Sequence, residues 1–124
     1  MKRVGTYLLS RPRVVFEYAR VPERDVRRIV GYSDSDWAVC KANRRSMSGG
    51  MMALRGAVIK AWSNRQASVA LSSGEAEYYS ACKAAAEGVA MQSFLNDLGW
   101  HAEIHIKIDA SAARSMATYQ GIGR

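Results

Sequence analysis

A chain of 124 residues is the size of one domain, and a hydrophobic content of 48% supplies a core. Its net charge of +7 and pI of about 9.8 favour a polyanionic partner, nucleic acid first; a merely basic soluble protein is the alternative on charge alone. No stretch is long and apolar enough to span a membrane, and the apolar run behind Met1-Lys2-Arg3 is too short for a signal peptide. Cys40 and Cys82 are far apart and, with His101 and His105, form no zinc pattern. A reducing interior is the expected compartment, with both cysteines as small apolar fillers.

Residues 1 to about 10 read as a short amphipathic helix with Val4, Tyr7 and Leu8 on one side, broken at Arg11-Pro12-Arg13. Residues 14–18 look like a short strand and residues 22–25 like a turn. Three strands follow, at residues 28–37, 47–54 and 57–63. Residues 41–46 form a basic loop between the first two, and Arg55-Gly56 a tight turn between the last two. This predicts an antiparallel meander. A long helix starts near Ser72, where Ser72 and Glu75 fit a capping box, and stops at Gly99. Its apolar face runs through Ala81, Ala85, Val89, Gln92 and Leu95, widened by Tyr78, Cys82 and Leu98. A strand at 103–108 and a helix at about 110–119 complete a β-β-β-α-β-α order, an α/β fold with a mixed sheet.

Alternation in the first strand puts Tyr32, Asp34 and Asp36 on one face, and charged side chains there suggest a metal or a solvent groove. Magnesium takes hard oxygen ligands, and a two-ion site needs carboxylates converging from several elements. Asp34, Glu77 and Asp109 meet that need if the first and fourth strands are neighbours. Each has another reading. Asp109 also fits the N-cap of the last helix. Asp36 fits better as a residue ending a strand than as a ligand. Glu75 is accounted for by its cap, whereas Glu77 lies past the capping position and is either a ligand or part of a solvated helix face. The basic side chains Arg44, Arg45, Lys60 and Arg65 are solvated surface one by one, and together a set able to hold phosphates. Trp37 and Trp62 read as core or sheet-surface aromatics, and His101 and His105 as surface residues.

Four blocks carry a resemblance: Gly31-Tyr32-Ser33-Asp34-Ser35-Asp36-Trp37-Ala38; Arg44-Arg45-Ser46-Met47-Ser48-Gly49; the run from Trp62-Ser63-Asn64-Arg65 to Glu75-Ala76-Glu77-Tyr78; and Ile108-Asp109-Ala110-Ser111-Ala112. In this order they resemble the ribonuclease H domain of copia-type LTR retrotransposon polyproteins. Residues 1–27 resemble the segment connecting that domain, residues 28–124, to an upstream reverse transcriptase. The resemblance implies an RNase H-like fold and metal-dependent cleavage of the RNA strand of an RNA–DNA hybrid. It further implies two Mg2+ ions (or Mn2+) held by Asp34, Glu77 and Asp109. Partners would be the hybrid and the reverse transcriptase of the same polyprotein, with no membrane. The location would be intracellular, in a cytoplasmic virus-like particle or the nucleus. The family has Asn-Gln after the third acid, where this chain has Ala110-Ser111. It also has a fourth acid and a fifth strand further on, so the reading here is a domain incomplete at its C-terminus. A non-catalytic fragment that binds nucleic acid or packs on a polymerase is the alternative, and another nuclease or transposase of the same fold is a third.

Overall fold

The structure is a computed structural model that describes residues 2–11, 13, 15, 18 and 27–109. Helix α1 covers Lys2–Ser10, and its apolar residues Val4, Tyr7, Leu8 and Leu9 are all more than half exposed. Of the expected strand at 14–18, only Val15 and Tyr18 are described; both are exposed and in neither helix nor strand. The expected turn at 22–25 and helix at 110–119 lie outside the described residues.

Strands β1 (Arg28–Asp36), β2 (Met47–Leu54) and β3 (Ala57–Arg65) form the meander; helix α2 (Ser73–Asp97) and strand β4 (Glu103–Lys107) follow. The sheet order is β3-β2-β1-β4, with β1 and β4 parallel and the other pairs antiparallel. The β2–β3 turn has positive φ at both central residues, 55° at Arg55 and 78° at Gly56, the backbone that matches the twist of a two-residue hairpin. In β1, the buried Ile29, Gly31 and Ser33 alternate with Tyr32 and Asp34 on the opposite, exposed face.

The start of α2 follows its sequence with one shift. Ser72 Oγ accepts the Glu75 N–H at 3.1 Å, but the Glu75 carboxylate accepts from the N–H of Leu71 at 2.7 Å rather than from that of Ser72. Tyr79 donates its hydroxyl to the other Glu75 oxygen at 2.9 Å. Both oxygens of Glu75 are thus spent on structure. At the other end the N–H of Gly99 (φ 79°) bonds to the Asn96 carbonyl and that of Trp100 to the Leu95 carbonyl, closing the helix in a Schellman motif.

Helix α2 crosses one face of β1, β2 and β4, but not on the face its larger apolar residues suggest. The buried positions are Gly74, Ala76, Glu77, Ser80, Ala84, Gly88 and Leu95. Val89 and Leu98 are about 60% exposed, Ala85 and Cys82 are exposed, and of the expected face only Leu95 is buried. Close approach is the reason. A Cβ on Gly88 would lie 2.8 Å from Cγ2 of Ile104 and 3.7 Å from Cδ1 of Ile106. Small residues let the helix axis come down onto the sheet, and the large ones are left on the outside. Cys82 therefore corrects the expectation that both thiols are fillers; Cys40, in the β1–β2 loop, is half-buried.

The apolar core of Ile29, Met52, Ala84, Leu95 and Ala102, flanked by Leu54, Trp62, Met91, Ile104 and Ile106, sits under the C-terminal part of α2. Towards the helix N-terminus the same interface becomes polar, with Ser33, Ser48, Gln66, Glu77 and Ser80 all buried. That change of chemistry along one interface marks where the site lies.

Candidate metal centre

Parallel pairing of β1 with β4 sets Tyr32 beside Lys107, so Asp34 and Asp109, two residues further on, emerge at the same end of the sheet. Glu77 comes to them from the first turns of α2. One carboxylate oxygen from each of Asp34, Glu77 and Asp109 lies within 4.8 Å of the others, close enough for a shared cation. Asp34 and Asp109 are exposed and Glu77 is buried, 9% accessible. The condition set by the sequence, that the first and fourth strands be neighbours, is met. Asp36 ends β1 exposed and is not in the group.

The polar interface fixes this geometry. The Ser80 hydroxyl donates to the backbone carbonyl of Asp34 at 2.7 Å and accepts from Ser33 Oγ at 2.9 Å. Ser35 turns toward α2 and directs both its N–H (3.1 Å) and its hydroxyl (2.7 Å) at Oε1 of Glu77. Asp34 accepts the same N–H through Oδ1 at 2.9 Å. The second oxygen of Glu77, Oε2, is buried, and none of the described residues donates a hydrogen bond to it. A carboxylate oxygen removed from water and left without a donor is costly unless a cation completes it, so these residues fit a hard divalent ion. Sequence reasoning missed Ser35, Ser80 and Ser33. The available signal was a row of serines at core-facing positions, where apolar residues belong unless the polar groups bond each other.

Around this cluster, Tyr32, Met51, Ala61 and Lys107 line a shallow groove of about 570 Å3 that ends at Asp34 and Asp109, and the Lys107 ammonium lies 5.2 Å from the centre of the Tyr32 ring. The four basic candidates separate. Arg44 and Arg45 sit in the exposed β1–β2 loop, at the end of the sheet that carries the acids. Arg65 is opposite Met47, itself opposite Asp36, and shares a groove of about 380 Å3 with Asn64, Tyr79 and Lys83. Lys60 lies nearer the other end, opposite Met52, and is ion-paired with Glu87 of α2. The Lys60 hydrogen bond holds the Glu87 carboxyl below its usual range, and the charges of Lys60 and Lys83 act in the same direction. The backbone amides of Asn43 and Ala42 pull the Cys40 thiol below its ordinary value, assisted by the charges of Arg65 and Arg45. Trp37 is half-exposed and ties the end of β1 to the loop before α2 through a 3.0 Å bond from Nε1 to the Ala70 carbonyl. His101 and His105 are exposed and, among the described residues, bond near neighbours, Asn96 and Glu103.

No family model matches the chain. Over 89 residues, 72% of this chain, it is 40% identical to a secreted RxLR effector protein 161 from Plasmopara viticola, covering 61% of that protein. Over 76 residues, 61% of this chain, it is 37% identical to a retrovirus-related Pol polyprotein from transposon TNT 1-94 of Nicotiana tabacum, covering 6% of that polyprotein. The chain therefore spans under two thirds of one relative and a small part of the other. Among solved structures, LC11-RNase H1, isolated from compost, superposes with a TM-score of 0.56 at 17% identity, covering 79% of this chain and 66% of that one. A second structure of LC11-RNase H1, in complex with an RNA/DNA hybrid, superposes with a TM-score of 0.53 at 18% identity over 77% and 66% of the two chains. At such identities the match speaks for architecture: this chain has the RNase H-like fold.

Proposed function

We propose that this chain is a divalent-metal-dependent nuclease that cleaves the RNA strand of RNA–DNA hybrids, as part of a retrotransposon polyprotein. Two observations carry the reading: one carboxylate oxygen from each of Asp34, Glu77 and Asp109 lies within 4.8 Å of the others, and no described residue donates to the buried Oε2 of Glu77. The likeness to a transposon polyprotein and to an RNase H1 solved with a hybrid supports the substrate. Asp34, Glu77 and Asp109 would hold Mg2+ or Mn2+. A pair of such ions stabilises charge on the attacking and leaving oxygens of a phosphodiester. Ser35 and Ser80 hold the acids in register before substrate arrives. Arg44, Arg45 and Arg65 lie on the acid-bearing end of the sheet, where cations would take backbone phosphates; Lys60 would do so only by giving up Glu87. Residues 1–27 would connect to an upstream reverse transcriptase, and the chain would work inside the cell, in a virus-like particle or the nucleus.

A second reading is supported by the 40% identity to a protein named as a secreted effector: the fold would serve as a non-catalytic binding module. Cleavage of a hybrid labelled on its RNA strand, in Mg2+ and in EDTA, separates the two. Metal-dependent cleavage that Asp34→Asn and Asp109→Asn each abolish and Asp36→Asn spares is the expected result. Hybrid binding without cleavage would favour the second reading.

A further inference from the structure

We infer that Ser35 makes Glu77 a one-oxygen ligand and so biases the metal centre toward Mg2+ or Mn2+ and against Ca2+. This rests on the metal-centre reading above and adds to it a residue that sets ion choice. The alternation of β1 sends Asp34 to one face of the sheet and Ser35 to the other, against α2. There two donors of a single residue, the N–H at 3.1 Å and the hydroxyl at 2.7 Å, converge on Oε1 of Glu77. Oε2 is buried and receives none from the described residues. Turning the carboxylate to offer both oxygens to one ion would break both bonds.

The scaffold around it gives little room to compensate. Ser80 of α2 is bonded to the Asp34 carbonyl, and Ser33 to Ser80, so helix and strand are tied on either side of the carboxylate. Ca2+ takes six to eight oxygens at about 2.3–2.6 Å and often grips a carboxylate through both. Mg2+ takes six at about 2.0–2.1 Å, keeps several waters, and is served by single oxygens in fixed places. A carboxylate with one oxygen occupied suits the smaller ion and denies the larger one its two-oxygen grip.

The test is titration calorimetry of the full chain with MgCl2 and with CaCl2 at matched ionic strength, for wild type, Ser35→Ala, Ser35→Cys and Ser35→Thr. Removing the hydroxyl should shift the Ca2+-to-Mg2+ affinity ratio toward Ca2+ by about three- to tenfold, the range that one hydrogen bond spans. Ser35→Thr, which keeps the hydroxyl, should hold the wild-type ratio. Ser35→Cys, of similar size but a weak donor, should follow Ser35→Ala and serves if the alanine variant does not fold. A merely structural role would weaken both ions alike, so an unchanged ratio in the alanine or cysteine variant overturns the inference, as does a threonine variant shifted as far as alanine. Glu77→Gln distinguishes the two levels. If it leaves both ions' binding untouched, the metal-centre reading fails and this inference with it. If it abolishes binding while Ser35→Ala leaves the ratio unchanged, only this inference fails.

Discussion

Replacing Glu77 by Gln should make the metal-free protein more stable while removing its response to metal. The cluster places one oxygen of Glu77 within 4.8 Å of one on Asp34 and one on Asp109. At that distance two like charges repel by about 0.9 kcal/mol in a water-like dielectric and about 3.5 kcal/mol at an effective dielectric of about 20. Asp34 and Asp109 are exposed, so the lower end applies, and the two pairs together cost about 2 kcal/mol. Neutralising Glu77 removes that cost and replaces the unpartnered Oε2 with an amide that can donate to either aspartate. Against this, the two Ser35 bonds stop being charge-assisted, a loss of about 0.5–1 kcal/mol each. The net is a gain of up to about 1 kcal/mol, a rise in Tm of up to about 5 °C for a domain of this size. Thermal unfolding in EDTA at low salt measures it, and repetition in saturating Mg2+ gives the second half. Wild type should gain about 2.7 kcal/mol at a ligand concentration of about 100 Kd, and the variant should gain nothing. A Glu77→Gln chain that is less stable than wild type in EDTA, and still stabilised by Mg2+, would refute the reasoning.

The ion pair of Glu87 with Lys60 should contribute stability above the ordinary carboxylate range that is lost as pH falls through the depressed pKa of the folded state. Urea midpoints between pH 7 and pH 3 should therefore fall less in Glu87→Gln than in wild type, and the effect at pH 7 should stay below about 1 kcal/mol because both groups are partly solvated. If the β1–β2 loop contacts phosphates, Arg44→Ala with Arg45→Ala should reduce the salt dependence of hybrid binding, by a slope of about 0.9 per lost contact, and fluorescence anisotropy across a salt series reads that directly. Gly88→Ala should destabilise by about 1 kcal/mol despite the better helix propensity of alanine, because its Cβ meets Ile104 at 2.8 Å, whereas Val89→Ala should cost under about 0.5 kcal/mol; chemical denaturation of the pair decides, and the reverse order would overturn the close-approach account.

The elements were legible where local chemistry decides them. The bounds of β2 follow from its apolar run between a basic loop and Arg55-Gly56, and the ends of α2 from Ser72 and Gly99. β1 stops one residue earlier than the pattern suggests, at Asp36, and β3 runs two residues further, to Arg65. The buried face of α2 was not legible. Reading for the largest apolar side chains selects Val89 and Leu98, which the fold leaves outside. Helix–sheet distance decides that face, and it depends on Gly88 of α2 meeting Ile104 and Ile106 of β4 across the interface, a non-local match invisible to periodicity.

The site shows the same division between local and non-local information. Position past the N3 turn separates Glu77 from Glu75, and the structure gives the two residues different tasks: Glu75 has both oxygens spent on Leu71 and Tyr79, and Glu77 keeps one free. What brings Asp109 to Asp34 is the parallel pairing of β4 with β1, which the order of elements allows but does not dictate. The serines that fix the acids were least legible, because a serine at a core-facing position signals a polar partner without saying which one. Ser33, Ser35 and Ser80 are separated by up to 47 residues and act only as a set. Their hydroxyls are all bonded, while Oε2 of Glu77 is buried without a donor among the described residues. A folding interface that merely tolerated a glutamate would have turned the spare oxygen to solvent, which the exposed ends of Asp34 and Asp109 show is only a few ångströms away. The retained cost at Glu77 supports the proposal that Asp34, Glu77 and Asp109 hold a cation between them.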